Sequence, residues 1–363
     1  MPPPFADFYR GKRVFVTGHT GFQGGWLVAW LKLLGAKVCG YGLPPSTRPN
    51  FFDATLLDRG ITSVFADVRD YESLANAFAE SQPEIVFHTA AQSLPRPSHG
   101  EPVETFATNV MGTIHVLEEA RLTNSVRAVV IVTSGSCYEN RDWFWSYREE
   151  DALGGSDSYS SSMACAEVAT SAYIREFFHS TKTAAATART GNLIGGGDWA
   201  EDRLVPGIVR AMASRQPVTI GVSQAAWPWQ HVLEAVGAYL LLAQRLHEGG
   251  QSYSGPWNFG PHDEDVASVR QLTENVIKLW GAGEVVLAPK GATLHEPSHI
   301  RLNTRKAKMQ LGWAPSLRLN DALAWTIDWY RAFNAEPTSA WRTTEDQIQQ
   351  FMRRATVKAT ANS

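Results

Sequence analysis

The first apolar run of the chain, Lys12–Thr17 (KRVFVT), ends in a glycine turn. A short run bounded by a turn predicts a strand buried on both faces. Apolar residues then recur at helical spacing over Gly25–Leu34, and a second run follows at Ala36–Tyr41. The alternation continues. Ser63–Val68, Glu84–Thr89, Ala128–Thr133 and Ala184–Thr190 read as further strands, with helices over Tyr71–Ser81, Pro102–Thr123 and Ser158–Ser180. Strands alternating with helices at this spacing predict an α/β fold, a Rossmann-type doubly wound parallel sheet.

After Gly195 the pattern becomes irregular. Shorter helices at Leu204–Arg215, Leu233–Glu248 and Val269–Leu279 predict a smaller C-terminal substrate-binding lobe. We place a dinucleotide-binding domain at residues 1–195 and the lobe at 196–335, interleaved with the first. The polar segment 336–363 reads as a terminal helix with a frayed end.

The first strand opens into Gly18-His-Thr20-Gly21-Phe22-Gln23-Gly24, and a helix follows. Glycines allow close backbone approach, and a helix N-terminus offers free N–H groups to a pyrophosphate. This predicts a nicotinamide dinucleotide as cofactor. The Gly-x-x-Gly-x-x-Gly spacing points to the short-chain dehydrogenase/reductase superfamily in its extended form. Asp67 is a candidate for the adenine amine, with a strand-end turn as its other reading. Val68, Ala90, Ala91, Tyr159 and Met163 complete the cofactor candidates. No ribose-binding acid ends the second strand, so NAD is expected and NADP is left open. Arg48, in the following loop, reads as a solvated arginine.

Composition narrows the class. Hydrophobic residues make up 44% of the 363 and charged residues 19%, as expected for a globular chain with a sizeable core. A net charge of −3 gives no electrostatic footprint for nucleic acid or anionic membrane. The longest apolar stretch, around Ala235–Ala243, is too short to span a bilayer, and Met1-Pro-Pro-Pro does not open a signal peptide. Three cysteines, Cys39, Cys137 and Cys165, read as reduced core thiols, and a cytoplasmic location is expected. No spacing suggests a metal site. Thirteen tryptophans, several in loops, allow an aromatic ligand wall.

Several blocks resemble the CDP-glucose 4,6-dehydratase family. They include residues 11–22 (GKRVFVTGHTGF), His88-Thr-Ala-Ala-Gln92, Thr108–Thr113 (TNVMGT), residues 191–200 (GNLIGGGDWA), Asp202-Arg-Leu204, Pro228–Leu233 (PWQHVL), Trp257–Pro261 (WNFGP), His295-Glu296 and Gln310–Trp313 (QLGW). The resemblance runs from residue 11 to about residue 330. It implies NAD on the Rossmann sheet and a nucleotide diphosphate sugar in the lobe. It also implies a homodimer, through a four-helix bundle supplied by Pro102–Thr123 and Ser158–Ser180. The family reaction takes a proton from the sugar 4-hydroxyl with the tyrosine of Tyr-x-x-x-Lys while NAD accepts hydride. Water then leaves across C5–C6 and the hydride returns at C6. By the same resemblance Gln92, Arg96, Asn192, Asp198, Trp199, Arg203, Trp227, His231 and His295 are the substrate-binding candidates. Loop ion pairs, turns or core packing are the other readings of Arg96, Asp198, Trp199, His231 and His295. His88 reads as a core histidine.

The chain departs from that pattern where the chemistry is done. Tyr159 is present, but the residue four positions on is Met163 rather than lysine. Methionine carries no charge and no donor, so a weaker hold on the cofactor is expected. The family's Thr-Ser-Asp-Lys-Cys-Tyr stretch reads Thr133-Ser134-Gly135-Ser136-Cys137-Tyr138, which removes the titrating pair that assists elimination. Trp227 replaces an arginine, a candidate pyrophosphate contact. The catalytic candidates that remain are Tyr159, Ser134 and Ser136. Three readings stay open: a nucleotide-sugar-modifying enzyme with altered or non-redox acid–base chemistry, an inactive binding or assembly subunit, and a working dehydratase.

Overall fold

A computed structural model describes residues 5, 7–220, 226–287 and 300–361. The strands of its central sheet are β1 (Arg13–Thr17), β2 (Lys37–Gly42), β3 (Thr62–Phe65), β4 (Ile85–His88), β5 (Ala128–Ser134), β6 (Ala184–Thr190) and β7 (Gly255–Phe259). All pair in parallel, in the order β7-β6-β5-β4-β1-β2-β3. The order reverses between β1 and β4, which opens a crevice beyond their C-terminal ends. This is the expected Rossmann sheet, with one strand more than the apolar runs predict. The strand β7 (GPWNF) begins Gly-Pro and carries a buried asparagine, so no apolar run announces it.

The helix Phe22–Leu33 is buried along most of its length, because sheet and lobe both pack on it. Trp26 donates to the Gly196 carbonyl at 2.9 Å and stacks on Phe51, which ties the lobe to the first helix. Trp26, Trp30, Trp257 and Trp329 are fully buried, so these indoles build core rather than a ligand wall. The lobe carries a three-stranded sheet of Val266–Ser268, Ala226–His231 and Asn192–Ile194. The segment from residue 336 carries the expected terminal helix. Its helix Ala340–Ala361 buries Ile348 and Phe351, with Phe351 edge-on to Trp30 at 5.6 Å. Cys39 and Cys137 are buried thiols, but Cys165 is exposed, because its helix turns that face outward. Among the described residues no helix is long and apolar enough to cross a membrane.

Three histidines are fully or almost fully buried: His19, His88 and His231. Burial holds His231 down to about 3, and His19 and His88 to about 4. Their neutral forms are the native ones. Below pH 6.5 the unfolded chain takes up protons that the folded chain refuses, so stability falls as pH falls. At pH 5 a histidine held as low as His231 costs about 2 kcal/mol. We expect the melting temperature to drop between pH 7 and pH 5. His231→Asn keeps a helix-capping acceptor without the titration, and should show a shallower drop. Parallel slopes in a thermal-melt series would remove His231 from this account.

Candidate active site

Gly18 leaves β1 at φ 71° and donates its N–H to the Tyr41 carbonyl at 2.7 Å. A Cβ on Gly18 would lie 2.7 Å from the Ala90 nitrogen, and one on Gly24 would collide with the Gly18 carbonyl. The turn therefore needs glycine, and its backbone lies directly against the loop after β4. Gly21 precedes the helix, and no side chain caps that N-terminus. Its first N–H groups are left for an acceptor from outside. A tight cradle of backbone donors fits a pyrophosphate. Thr20 Oγ1 donates to the Leu43 carbonyl at 2.8 Å, and Gln23 Oε1 accepts from the Tyr239 hydroxyl at 3.1 Å. Phe22 packs beside Gly195. Asp67 is engaged by Arg69, whose Nη2 lies at 2.7 Å, and those hydrogen bonds hold its carboxyl below the usual range. Val68 is buried, Ala90 half-buried and Ala91 exposed. Arg48 is exposed.

Ser134 closes β5, and the chain turns through Gly135–Cys137. The Ser136 N–H donates to Ser134 Oγ at 3.1 Å. The Ser134 hydroxyl also acts on the Tyr159 phenol, favouring its ionisation. Tyr159 enters on the helix Ser158–Tyr173, capped by Asp157, which accepts from the Ser160 N–H at 2.9 Å. Burial pushes the phenol above its ordinary value, while Ser134 and the charge of Arg203 pull it back. The phenol is therefore protonated at neutral pH.

Met163 is only 3% exposed and packs with Cys137, Tyr138, Tyr147, Ala164 and Leu302. A Cβ on Gly135 would lie 3.2 Å from Leu302 Cδ2. An apolar wall thus stands where the resemblance implies a lysine and an elimination pair. Beneath it lies a buried ion pair that the sequence did not announce as functional. Arg189 Nη2 meets Glu167 Oε2 at 2.8 Å, each side chain 3% exposed. Glu167 also accepts from Thr133 Oγ1 and, at 2.7 Å, from Thr187 Oγ1. Arg189 Nη1 continues to the Tyr138 hydroxyl at 2.6 Å, which donates to Asn258 Oδ1 at 2.8 Å. The available signal was an arginine inside the apolar strand β6, since charges are almost never fully buried unpaired.

The substrate candidates divide. Gln92 is locked to Asn109, its N–H donating to Asn109 Oδ1 at 2.7 Å. Arg96 pairs with Asp202 at 3.2 Å, and Arg203 reaches Ser93 Oγ at 3.2 Å and Asp198 Oδ2 at 3.8 Å. These contacts join the loop after β4 to the loop 198–203. Asn192 lies half-buried on its strand, which pairs with the strand of Trp227. Trp199 instead packs against Trp329, Tyr330 and Phe333. His231 is fully buried, edge-on to Trp26 and Trp325, and its Nδ1 caps the next helix by accepting from the Leu233 N–H. Both turn into the core rather than the cleft. His88 bridges Thr17 and Thr113 at 2.8 and 3.1 Å, a satisfied core histidine. His295 and Glu296 lie outside the described residues. Among the described residues no three His, Cys, Asp or Glu side chains gather to hold a metal ion.

A glycine cradle at the switch point and a Ser–Tyr pair at the end of β5 define a dinucleotide-binding sheet of the extended short-chain dehydrogenase/reductase type. The profile of the NAD dependent epimerase/dehydratase family matches residues 14–260. The chain belongs to that family and, within it, to the CDP-glucose 4,6-dehydratase family. It is 45% identical to the CDP-glucose 4,6-dehydratase of Salmonella typhimurium over 90% of this chain and 92% of that protein. The fold is shared with the UDP-glucose 4-epimerase of Thermotoga maritima solved with UDP-glucose (TM-score 0.77, 23% identity, 88% of this chain and 98% of that one). It is also shared with the dTDP-glucose 4,6-dehydratase of Bacillus anthracis solved with NAD (TM-score 0.74, 19% identity, 92% and 100%). The family is described as NAD dependent, so NAD is the dinucleotide with which to probe the cradle. Gly18→Ala should weaken NAD binding by at least about tenfold, a loss of about 1.4 kcal/mol. Titration calorimetry reads it, and unchanged affinity would move the cofactor away from this turn.

Proposed function

We propose that this chain binds a nucleotide diphosphate sugar in the cleft between the sheet edge and the lobe. There Tyr159 and Ser134 transfer protons, without the full cycle of oxidation, dehydration and reduction. One combination supports the reading: the Ser134 hydroxyl still acts on the Tyr159 phenol while position 163 is a buried methionine in an apolar wall. NAD, when bound, supplies a hydride acceptor. The chain's own residues no longer supply a helix-borne cation beside the phenol, nor a titrating pair for loss of water.

What remains is a protonated phenol and a serine hydroxyl side by side. Two such donors stabilise an oxygen on which negative charge develops. They suit a sugar that already carries a carbonyl, whose oxygen they would hydrogen-bond while water accepts the proton that leaves the neighbouring carbon and later returns it. Arg96, at the cleft mouth, is the candidate for the diphosphate that Trp227 cannot hold. Gln92, Asn192 and Asp198 line the same region. This chemistry needs the phenol protonated, so the rate should stay level from pH 7 to pH 9 and fall only as Tyr159 ionises.

The reading is tested with CDP-glucose and NAD, following the 4-keto product by its alkaline absorbance. Met163→Lys combined with Gly135→Asp and Ser136→Lys restores the family's groups, and Leu302 is flexible enough to yield to Asp at 135. The triple variant should exceed the natural chain by about a hundredfold or more. A natural chain that matches the variant is a working dehydratase, and the reading fails.

We also propose a homodimer. Val103, Phe106, Met111 and Leu122 are exposed on the helical segment 102–122, and Val168 and Phe177 on 158–178. These two segments pack on each other, so two copies would supply four helices. Scattered exposed apolar residues are ordinary, but this many on two adjacent helices mark an interface. Val168→Asp with Leu122→Asp should give a monomer by sedimentation, with an unchanged circular dichroism spectrum. A natural chain that already sediments as a monomer removes the dimer.

A further inference from the structure

A charged cavity lies away from the cleft. It opens beside the outer edge of β7, with β6 and β5 between it and the switch point at β4 and β1. Its volume is about 440 Å³, within the range of small-ligand pockets. Two segments wall it, and both hang on the free edge of β7. Glu149 Oε1 accepts from the Asn258 N–H at 3.0 Å, and Lys306 Nζ donates to the Pro256 carbonyl at 2.7 Å. Arg148, Glu150 and Arg305 also line the cavity.

We propose that this cavity binds a phosphate-bearing anion. Three cations line it, and two of them are uncommitted. The backbone N–H groups of Arg148 and Arg305 are engaged, but among the described residues neither guanidinium meets a carboxylate. Lys306 is half-buried over the Trp257 ring, 4.3 Å from its centroid. Burial draws its ammonium below the usual range in spite of Glu149 and Glu150, and an anion beside it would reverse that shift. The two carboxylates weigh little against the three cations. Glu149 is buried with one oxygen given to Asn258, and burial raises it towards its neutral form. Glu150 is exposed, so solvent and salt screen it. A phosphate suits this set better than a carboxylate does. It offers three oxygens and a second charge, enough for two guanidinium forks and one ammonium at once. The volume leaves room for a diphosphate or a nucleotide. The cavity shares no residue with the Ser134–Tyr159 site, so the two stand or fall separately.

Calorimetry of the full chain with inorganic pyrophosphate tests the site, with NAD present to fill the glycine cradle. At low salt the heat should saturate with a Kd below about 1 mM. Arg148→Glu and Arg305→Glu should each weaken binding by at least about tenfold. Arg96→Gln, at the mouth of the other cleft, should leave it unchanged. Both cavity arginines are exposed, so without ligand the variants should melt with the natural chain. ADP and CDP separate the sources of the phosphate. Nucleotides that bind no tighter than pyrophosphate mean that the cavity reads free phosphate groups. A nucleotide that binds tighter, with the gain lost in Arg305→Glu, means that its base and ribose fill the remaining volume. Either result upholds the site. Citrate binding as tightly as pyrophosphate overturns the phosphate assignment. No saturable heat, or heat indifferent to both Arg148→Glu and Arg305→Glu, overturns the site itself.

Discussion

One buried charge pair holds the working end of this molecule together. Arg189 and Glu167 meet inside the sheet–helix interface, away from water, and every polar neighbour is recruited to them. A buried pair gains little over a well-packed apolar one, but removing a single partner leaves an uncompensated charge, at about 3–5 kcal/mol. That asymmetry makes the pair a constraint. Glu167 joins the helix of Tyr159 to Thr133 on β5 and Thr187 on β6, so the level of the helix against the sheet is set one residue before Ser134. The Ser134–Tyr159 contact follows from that register. On the other side Asn258 extends the network to the sheet's edge. Its N–H donates to Glu149 and its side-chain amide to the Tyr147 carbonyl, so the 147–149 segment covers the edge strand β7.

The apolar wall above this pair makes physical sense of the substitutions around it. A lysine at 163 would have to keep a charge among Cys137, Tyr138 and Leu302, which costs heavily unless a ligand or a carboxylate compensates it. Methionine fills the same space with a polarizable, flexible chain and no such cost. Gly135 lets Leu302 lie close against the turn after β5, in place of a group that titrates. The site has exchanged ionic chemistry for packing. Such surroundings favour the protonated phenol.

Much of the scaffold was legible because parallel strands buried on both faces must be written as apolar runs. Lys12–Thr17 and Ala128–Thr133 show it most plainly, and the glycine spacing at 18, 21 and 24 followed from the same turn geometry. β7 was not legible, since Gly255-Pro256 reads as a turn and its strand character comes from pairing with β6. The continuity of 102–122 was legible as one long amphipathic helix, but not its widening over Ala107–Met111. Among the candidate site residues, Tyr159 and Ser134 were singled out by the family motifs they match. Trp199 and His231 were placed near ligand because a motif fixes sequence, not the direction of a side chain. The tertiary packing of Trp26, Trp325 and Trp329 decides that direction. The partners of Arg203 were out of reach as well. Ser93 is 110 residues away, and only the folded sheet brings the two loops together.

Those two loops show how the scaffold divides rigidity. The deep network is sealed and expensive to disturb, so it fixes the proton-transfer pair. The ties across the cleft are of the opposite kind. Arg96 is 78% exposed where it meets Asp202, and Arg203 is only half-buried where it meets Ser93 and Asp198. Exposed pairs of this sort are worth about 0–1 kcal/mol each, and salt weakens them. They can orient two loops without locking them, and an entering anion can exchange partners with them at little cost. A cleft built this way holds its chemistry still while leaving its mouth adjustable.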